Sequence, residues 1–125
     1  MALQEYVGAI VLEVDGAEIE VVSCSPTEDT GRRLVRTMNR SGNAAGFTQG
    51  VTNYELSIVA VIPKTGEAVD WANIQGAKLT ISPVTEGGQR VSYLDAFSTS
   101  VGRQYQVEGE ARIDVRLNAL RKVVE

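Results

Sequence analysis

Residues 51–62 read VTNYELSIVAVI, and apolar side chains recur there at every second position. Successive side chains of an extended strand point to opposite faces, so a period of two predicts a β-strand with one buried face. The opposite row is polar at Asn53, Glu55 and Ser57. The segment therefore predicts a long, half-buried strand of the kind found in antiparallel sheets. Its apolar row consists of Tyr54, Leu56, Ile58, Ala60 and Ile62.

The same periodicity extends the β prediction along most of the chain. Residues 7–14 and 17–24 flank Asp15-Gly16, a dipeptide that favours the positive φ angles of a two-residue hairpin turn. Residues 110–120 alternate as well, with an apolar row of Ala111, Ile113, Val115, Leu117 and Ala119. The other predicted strands are 32–38, 77–83 and 89–98.

Two segments interrupt this pattern. Ser25-Pro26-Thr27-Glu28 matches a capping box with proline at the first helical position, but Gly31 follows too soon for a helix. That segment therefore predicts a turn. Residues 67–75, EAVDWANIQ, are the good helix candidate, and Gly76 supplies a C-terminal stop. We expect Trp71 to anchor this helix on a sheet.

Length and composition indicate one ordinary globular domain over residues 1–125. The hydrophobic fraction of 43% and the charged fraction of 22% are those of a chain that can bury a core. The pattern of six to eight strands with one helix predicts a mainly β fold. We expect an antiparallel β-sandwich or barrel of two packed sheets with one short α-helix.

The residue inventory excludes several classes of function. The chain has no histidine and one cysteine, Cys24, so it lacks the usual general base, the usual zinc ligands and an internal disulfide. A net charge of −4 makes general nucleic-acid binding improbable. The glycines of 42–50 lack the lysine of a phosphate-binding loop. We expect no catalytic residue, cofactor or metal, and the default for Cys24 is a small buried apolar group.

We also expect no segment that targets this chain for secretion or into a membrane. The first residues carry Glu5 where the basic flank of a signal peptide would lie, and Glu13 interrupts the apolar run. No run approaches the length of a membrane span. The chain is therefore expected to act, or to be assembled, on the cytoplasmic side.

The stretch 36–50, RTMNRSGNAAGFTQG, fits none of these elements. Four of the twelve basic residues and several apolar side chains lie on it or directly before it. A solvated arm without a partner is one interpretation, and an arm that binds another surface is the other. The second is favoured, because a purely solvated loop would not expose so much apolar area. The candidate interface residues are Arg32, Arg33, Leu34, Arg36, Met38, Arg40 and Phe47.

Three further pieces carry a resemblance over roughly residues 8–123. They are TMNR-x-G-x-x-x-GF, the Asp-Trp segment followed by GAKLTI, and SYLDAF-x-T-x-VG. In this order they resemble bacteriophage tail tube proteins of the short type, related to the inner tubes of contractile tails. The resemblance implies two packed sheets flanked by one helix. It also implies a long hairpin loop, matching residues 25–50, that reaches neighbouring subunits.

The function implied by the resemblance is structural. Six copies would form a ring whose inner strands close into one barrel, and stacked rings would form a hollow tube that delivers DNA without binding it specifically. The implied partners are further copies of the chain and the tail sheath, tape measure, baseplate and tail terminator proteins of a virion. The polar rows of 51–57 and 89–100 are expected to contribute to the lumen. We expect no bond between equivalent Cys24 thiols in such a tube, because its contacts join different patches of neighbouring subunits.

Three alternatives remain open at this point. One is the inner tube of a phage-derived secretion or bacteriocin particle, which has the same architecture with a different cargo. Another is a β-barrel module that binds a small ligand or a peptide as a stable monomer. The third is a small hydrolase, which without histidine would depend on carboxylates or on the Cys24 thiol.

Overall fold

The computed structural model describes residues 3–66, 69–84 and 87–125. Within these residues, antiparallel strands account for almost all regular structure, and the first strands confirm the hairpin prediction. Asp15 and Gly16 have φ angles of 51° and 87°, as a tight hairpin turn requires. The strands are β1 (Ile10–Val14), β2 (Ala17–Ile19), β3 (Val21–Asp29), β4 (Arg32–Val35), β5 (Gly46–Gln49), β6 (Asn53–Val61), β7 (Gln75–Pro83), β8 (Val91–Gln104), β9 (Arg112–Ala119) and β10 (Arg121–Val124).

Eight of these strands form one continuous sheet. Their order is β2-β1-β7-β8-β9-β6-β3, with β10 paired to β8, and every pairing is antiparallel. The first part of β8 lies between β7 and β10, whereas its second part pairs with β9. Strand β8 therefore belongs to two layers, and β4 and β5 form a separate hairpin.

The sheet curls over so that its two halves face each other. The rings of Tyr54 on β6 and Tyr93 on β8 meet edge to face with centroids 6.1 Å apart. The Lys122 Nζ atom on β10 lies 3.8 Å from Glu28 Oε1 on β3. Asp95 takes a φ of 56° within β8, and the register of β8 shifts nearby. Such irregularities bend a strand and increase its twist. The expected two packed sheets are thus two layers of one curled sheet.

The core lies between the two layers and contains the predicted apolar rows. Leu56 and Ile58 on β6 are fully buried, and they lie opposite Leu117 and Val115 on β9. The alternation predicted for 51–62 and 110–120 is confirmed. The largest fully buried apolar side chains are Leu12, Leu56, Ile58, Leu79, Ile113, Val115 and Leu117.

The turn predicted at residues 25–28 is wrong. These residues belong to β3, in which Pro26 lies opposite Leu56 and the pairing with β6 continues to Asp29. Strand β3 is at the edge of the sheet, so a proline without an N–H group is tolerated there. Pairing along β6 outweighs the local capping signal. The strand predicted over 17–24 is also divided, because β2 ends at Ile19 and β3 starts at Val21.

The α-helix predicted over 67–75 is also wrong. The structure has a 3₁₀ helix of three residues, Trp71–Asn73, and β7 begins at Gln75. Glu67 and Ala68, the start of the predicted helix, lie outside the described residues. Trp71 is 2% exposed and forms part of the core cluster. The Trp71 side chain is buried as expected, but it lies on a tight turn instead of an α-helix. The helix cannot extend to Gln75, because Gln75 already pairs with Phe97 of β8.

Candidate assembly interface

The β4–β5 hairpin projects from the sheet as an arm, defined here as residues 30–52. Residues 25–29, which the sequence assigned to the arm, are the end of β3. The arm begins at a tight neck, where the Gly50 amide donates to the Gly31 carbonyl oxygen at 2.9 Å. The Thr30 carbonyl oxygen accepts hydrogen bonds from Gln49 Nε2 at 2.9 Å and Thr52 Oγ1 at 3.4 Å. The two chains of the arm are therefore held together where they leave the sheet.

Asp29 fixes the first residue after β3. Its Oδ1 accepts a hydrogen bond from the Gly31 amide at 2.9 Å and lies 3.6 Å from Arg33 Nη1. The Gly31 amide and, after it, the Arg33 guanidinium hold the pKa of the Asp29 carboxyl below its usual range. At neutral pH the carboxylate is therefore charged and joins the end of β3 to the start of β4.

One face of the β4–β5 hairpin carries three of the seven predicted interface residues. Arg32, Leu34 and Phe47 share that face, because Leu34 lies directly opposite Phe47 and Arg32 lies two residues before Leu34. The Arg32 guanidinium lies 6.0 Å from the centroid of the Phe47 ring. Leu34 and Phe47 are nevertheless 62% and 65% exposed. A cation and two large apolar side chains therefore form one exposed surface.

The tip of the arm is organised by Asn39. Its Oδ1 accepts hydrogen bonds from Ser41 Oγ at 2.6 Å and from the Gly42 amide at 3.1 Å. Its Nδ2 donates to the Asn43 carbonyl oxygen at 2.8 Å. The tip is a turn closed by its own hydrogen bonds, and it presents Met38 fully exposed beside it. The sequence missed the role of Asn39, although asparagine before serine and glycine is a recognised turn signal.

The seven residues predicted from the sequence are thus divided between three places. Arg32, Leu34 and Phe47 share one face of the hairpin, and Arg33 lies on the other face with its ion pair to Asp29. The remaining three, Arg36, Met38 and Arg40, lie in the loop between β4 and β5. All seven are exposed.

A second surface is formed by the layer that contains β3, β6, β9 and the end of β8. Its outer face is polar across all four strands, since Ser57 lies opposite Ser25 on one side and Arg116 on the other, and Arg116 lies opposite Ser100. Glu55 and Asp114 add acidic groups to this exposed face. The four strands are thus apolar inside and solvated outside.

Both edges of this layer are unpaired within the described residues. Strand β3 has one neighbour, β6, along its whole length. Residues 99–104 of β8 pair with β9 and have no strand on their other side. Unpaired edges of this length are templates for pairing with another chain. The sequence did not predict these edges, because pairing partners are not encoded in local periodicity.

The expected polar row at 89–100 is interrupted by buried residues in the first half of β8. Ser92 is 1% exposed, and its Oγ lies 3.2 Å from Thr80 Oγ1 on β7. Tyr93 and Ala96 are also buried. Ser92, Tyr93 and Ala96 therefore lie within the sandwich, whereas Gln89, Arg90 and residues 99–100 of the expected row are exposed.

Cys24 lies on the inner side of β3, opposite Ile58. Burial raises the pKa of the Cys24 thiol to about 11, so the thiol is protonated at neutral pH. Burial, followed by the charges of Cys24, Glu28 and Tyr54, also raises the pKa of Tyr93. Burial is the cause of the raised Cys24 pKa, and a protonated, half-buried thiol fits the structural interpretation of Cys24.

Residues 3–66, 69–84 and 87–125 contain no group of three or more histidine, cysteine or acidic side chains that could hold a metal ion. None of the helices in this part of the chain is long and apolar enough to cross a membrane.

Solved structures from tube assemblies are similar in fold to this chain. No protein-family model and no curated protein sequence matches the chain. A chain of the PVC sheath/tube terminator, from an extracellular contractile injection system, matches with a TM-score of 0.75, 18% identity and 99% coverage of both chains. The anti-feeding prophage tube terminating cap matches with a TM-score of 0.72 and 15% identity, over 100% of this chain and 94% of the other.

A bacteriophage structure is similar as well. The SPP1 tail tube protein matches with a TM-score of 0.65 and 14% identity, over 93% of this chain and 74% of the other. Identities this low establish the architecture rather than the activity. The resemblance inferred from the sequence is confirmed at that level: the chain has the tail tube fold.

Proposed function

We propose that this chain is a structural subunit of a bacteriophage tail tube. Six copies form a ring, rings stack into a hollow tube, and DNA passes through the lumen to the host. The observation that carries the proposal is the four-stranded layer with a solvated face, an apolar face and two open edges. No catalytic role is proposed.

The directions of the four strands suit closure into a ring. Strands β8, β9, β6 and β3 alternate in direction, so the two edge strands run in opposite directions. When layers are placed side by side, β3 of one copy meets residues 99–104 of the next copy as an antiparallel neighbour. The two edges are different surfaces, and repeated contacts of this type close into rings or continue as helices. Closure would remove every exposed edge of the layer.

The outer face of the layer would then line the lumen. It carries Glu55 and Asp114 together with Arg112 and Arg116, and Arg112 Nη2 lies 2.6 Å from Glu110 Oε1. A surface on which acidic and basic side chains are mixed does not hold phosphate groups firmly. A chain with a net charge of −4 is therefore suited to let DNA slide.

The arm is proposed to join subunits within and between rings. Leu34, Met38 and Phe47 are large apolar side chains that remain exposed in the single chain. The further proposed partners are the sheath, tape measure, baseplate and tail terminator proteins. Assembly in the host cytoplasm and a final location in the virion follow from this role.

A second candidate is the inner tube of a phage-derived secretion or bacteriocin particle. The TM-scores of 0.75 to a chain of an extracellular contractile injection system and 0.72 to the anti-feeding prophage cap exceed the 0.65 to the SPP1 tail tube protein. This difference favours a contractile particle of either kind. Capsid and terminase genes beside the coding gene would indicate a phage, and their absence would indicate a particle without DNA.

Negative-stain electron microscopy of the concentrated protein tests the common part of both candidates. We expect rings with six-fold end views, or hollow tubes, whose ends grow when more protein is added. A protein that remains a monomer of 13.5 kDa by analytical ultracentrifugation at its highest soluble concentration would contradict the proposal. A monomer that binds a small ligand or peptide would instead support a binding module.

A further inference from the structure

A cavity of about 350 Å³ opens at one end of the sandwich, beside β2 and the 3₁₀ helix. Its floor is apolar and reaches the core, because Trp71 and Ile113 both contribute to it. The rim carries two carboxylates, Glu18 on β2 and Glu20 directly after it. The lining residues are Glu18, Ile19, Glu20, Ala60, Val61, Pro63, Val69, Trp71 and Ile113.

The rim has an excess of negative charge. Glu13 on β1 lies directly opposite Glu18 on β2, and Glu18 and Glu20 are both exposed. Like charges opposite each other in an antiparallel pair are unfavourable. Among the described residues, the ion pairs are formed by carboxylates outside this rim, namely Asp29, Asp95, Glu28 and Glu110. A cationic occupant would therefore relieve repulsion at this rim.

The arm loop carries the complementary set of side chains. Met38 is fully exposed and lies in sequence between Arg36 and Arg40, two residues from each. The cavity offers an apolar floor, and its rim offers two carboxylates, Glu18 and Glu20. Methionine is flexible and fills irregular apolar spaces well.

The arm can reach a neighbouring copy but does not occupy its own cavity. The exposure of Met38 shows that its side chain is outside the cavity of its own chain. Strand β4 alone spans about 13 Å at about 3.3 Å per residue, and the loop of residues 36–45 continues the arm beyond it. The strand by itself is therefore nearly as long as the radius of gyration of about 14 Å of a compact chain of this length.

We infer that the arm of one copy docks in this cavity on another copy. Met38 enters the apolar floor, and Arg36 and Arg40 pair with Glu18 and Glu20 at the rim. The inference rests on the proposed tube function and names the surface that receives the arm. Buried apolar area supplies the attraction, whereas the rim charges set orientation and exclude the wrong surface.

Charge exchange tests the pairing. The double variant Glu18→Lys, Glu20→Lys should lower the amount of sedimentable tube at least about tenfold, because like charges then face each other. Adding Arg36→Glu and Arg40→Glu to the same chain should restore tubes, since opposite signs face each other again. Circular dichroism should show that both variants remain folded.

If the wild-type protein forms tubes and the Glu18, Glu20 variant forms as many, the docking site is wrong while the tube function stands. If the wild-type protein forms no assembly, the tube function itself is wrong.

Disulfide trapping tests the position of Met38. In a Cys24→Ser background, Met38→Cys combined with Val61→Cys should produce a ladder of covalent oligomers on a non-reducing gel after mild oxidation. The matched control combines Met38→Cys with Glu108→Cys, on an exposed turn outside the cavity, and should give no ladder. A ladder from Leu3→Cys with Val61→Cys would show that the exposed N-terminal segment occupies the cavity and would overturn the inference. Assembled tubes that give no Met38–Val61 ladder would overturn it as well.

Discussion

The carbonyl oxygen of Gly31 accepts the Gly50 amide at 2.9 Å, and a Cβ atom on Gly50 would lie 2.6 Å from that same oxygen. Gly31 itself has a φ of 79°, a conformation that residues with a side chain rarely adopt. The two glycines therefore let the two chains of the arm approach each other closely at the neck. The neck sets the direction in which the arm leaves the sheet.

The first prediction concerns this neck. Gly50→Ala should separate the two chains at the base of the arm, because no backbone can hold a Cβ that close to a carbonyl oxygen. We expect faster proteolysis within residues 30–52 and little tube formation, with a melting transition of the sheet close to that of the wild type. Limited proteolysis followed by mass spectrometry measures the first effect. Gly46→Ala is the matched control, since a Cβ there meets nothing within 4 Å.

The second prediction concerns the exposed surface of the arm. Arg36→Glu and Phe47→Asp should each block tube growth, because one reverses a charge and the other puts a carboxylate on an apolar contact. Both positions are exposed, so the free energy of unfolding should change by less than about 0.5 kcal/mol. Sedimentation and denaturant unfolding provide the two measurements. Arg90→Glu reverses a charge outside the arm and should leave assembly less affected. Tubes of normal length from both arm variants would contradict a role for the arm in assembly.

The third prediction separates the core from the solvated face. Leu56→Ala should lower the free energy of unfolding by about 2–5 kcal/mol, because it removes a fully buried side chain and leaves a cavity. Ser57→Ala changes the next residue, which is exposed on the opposite face, and should stay within about 0.5 kcal/mol. Urea unfolding of the monomeric protein compares the two. Equal effects would show that this strand is not buried on one face as described.

The fourth prediction follows from the raised pKa of Cys24. With a pKa of about 11 in place of 9.0, the thiolate population at pH 8 is about 100-fold lower than for a free thiol. Alkylation of the folded chain by iodoacetamide should be slower by a similar factor and should accelerate up to about pH 11. Denatured protein serves as the comparison, because its thiol has its ordinary pKa.

The raised pKa of Cys24 also predicts how the stability of the fold changes with pH. Because the pKa of Cys24 is raised by folding, its contribution is fully present below pH 9.0 and is lost as the pH rises toward about 11. Wild-type protein should therefore lose more stability across this window than Cys24→Ala. An equal loss in both proteins would show that Cys24 is not shielded from water.

Local periodicity predicted the strands that carry the core. The alternation in 51–62 and 110–120 corresponds to β6 and β9, and Asp15-Gly16 forms the hairpin turn. These predictions hold because a strand that is buried on one face must alternate, and because few residues tolerate two successive positive φ angles. The apolar groups of the arm were also predicted as an exposed surface, and the arm side chains are exposed in the structure.

The elements that the sequence did not predict depend on distant partners. Strand β10 has four residues, RKVV, and pairs with the first part of β8. So short a sequence does not by itself indicate which strand it pairs with. Strand β8 continues to Gln104 because β9 lies beside it, although the strand predicted from the sequence ended at residue 98. In both cases the missing information is which strands become neighbours.

The sequence by itself determined that the chain is built of half-buried strands, that it lacks histidine chemistry and that residues 36–50 fit none of the predicted core strands. The tertiary structure decided that Pro26 belongs to an edge strand, that Trp71 is buried from a single 3₁₀ turn, and that β8 joins two layers. Side-chain patterns record which face of a segment avoids water, because that requirement is local. The choice of neighbouring strand is set by non-local packing and backbone pairing, which only the folded chain reveals.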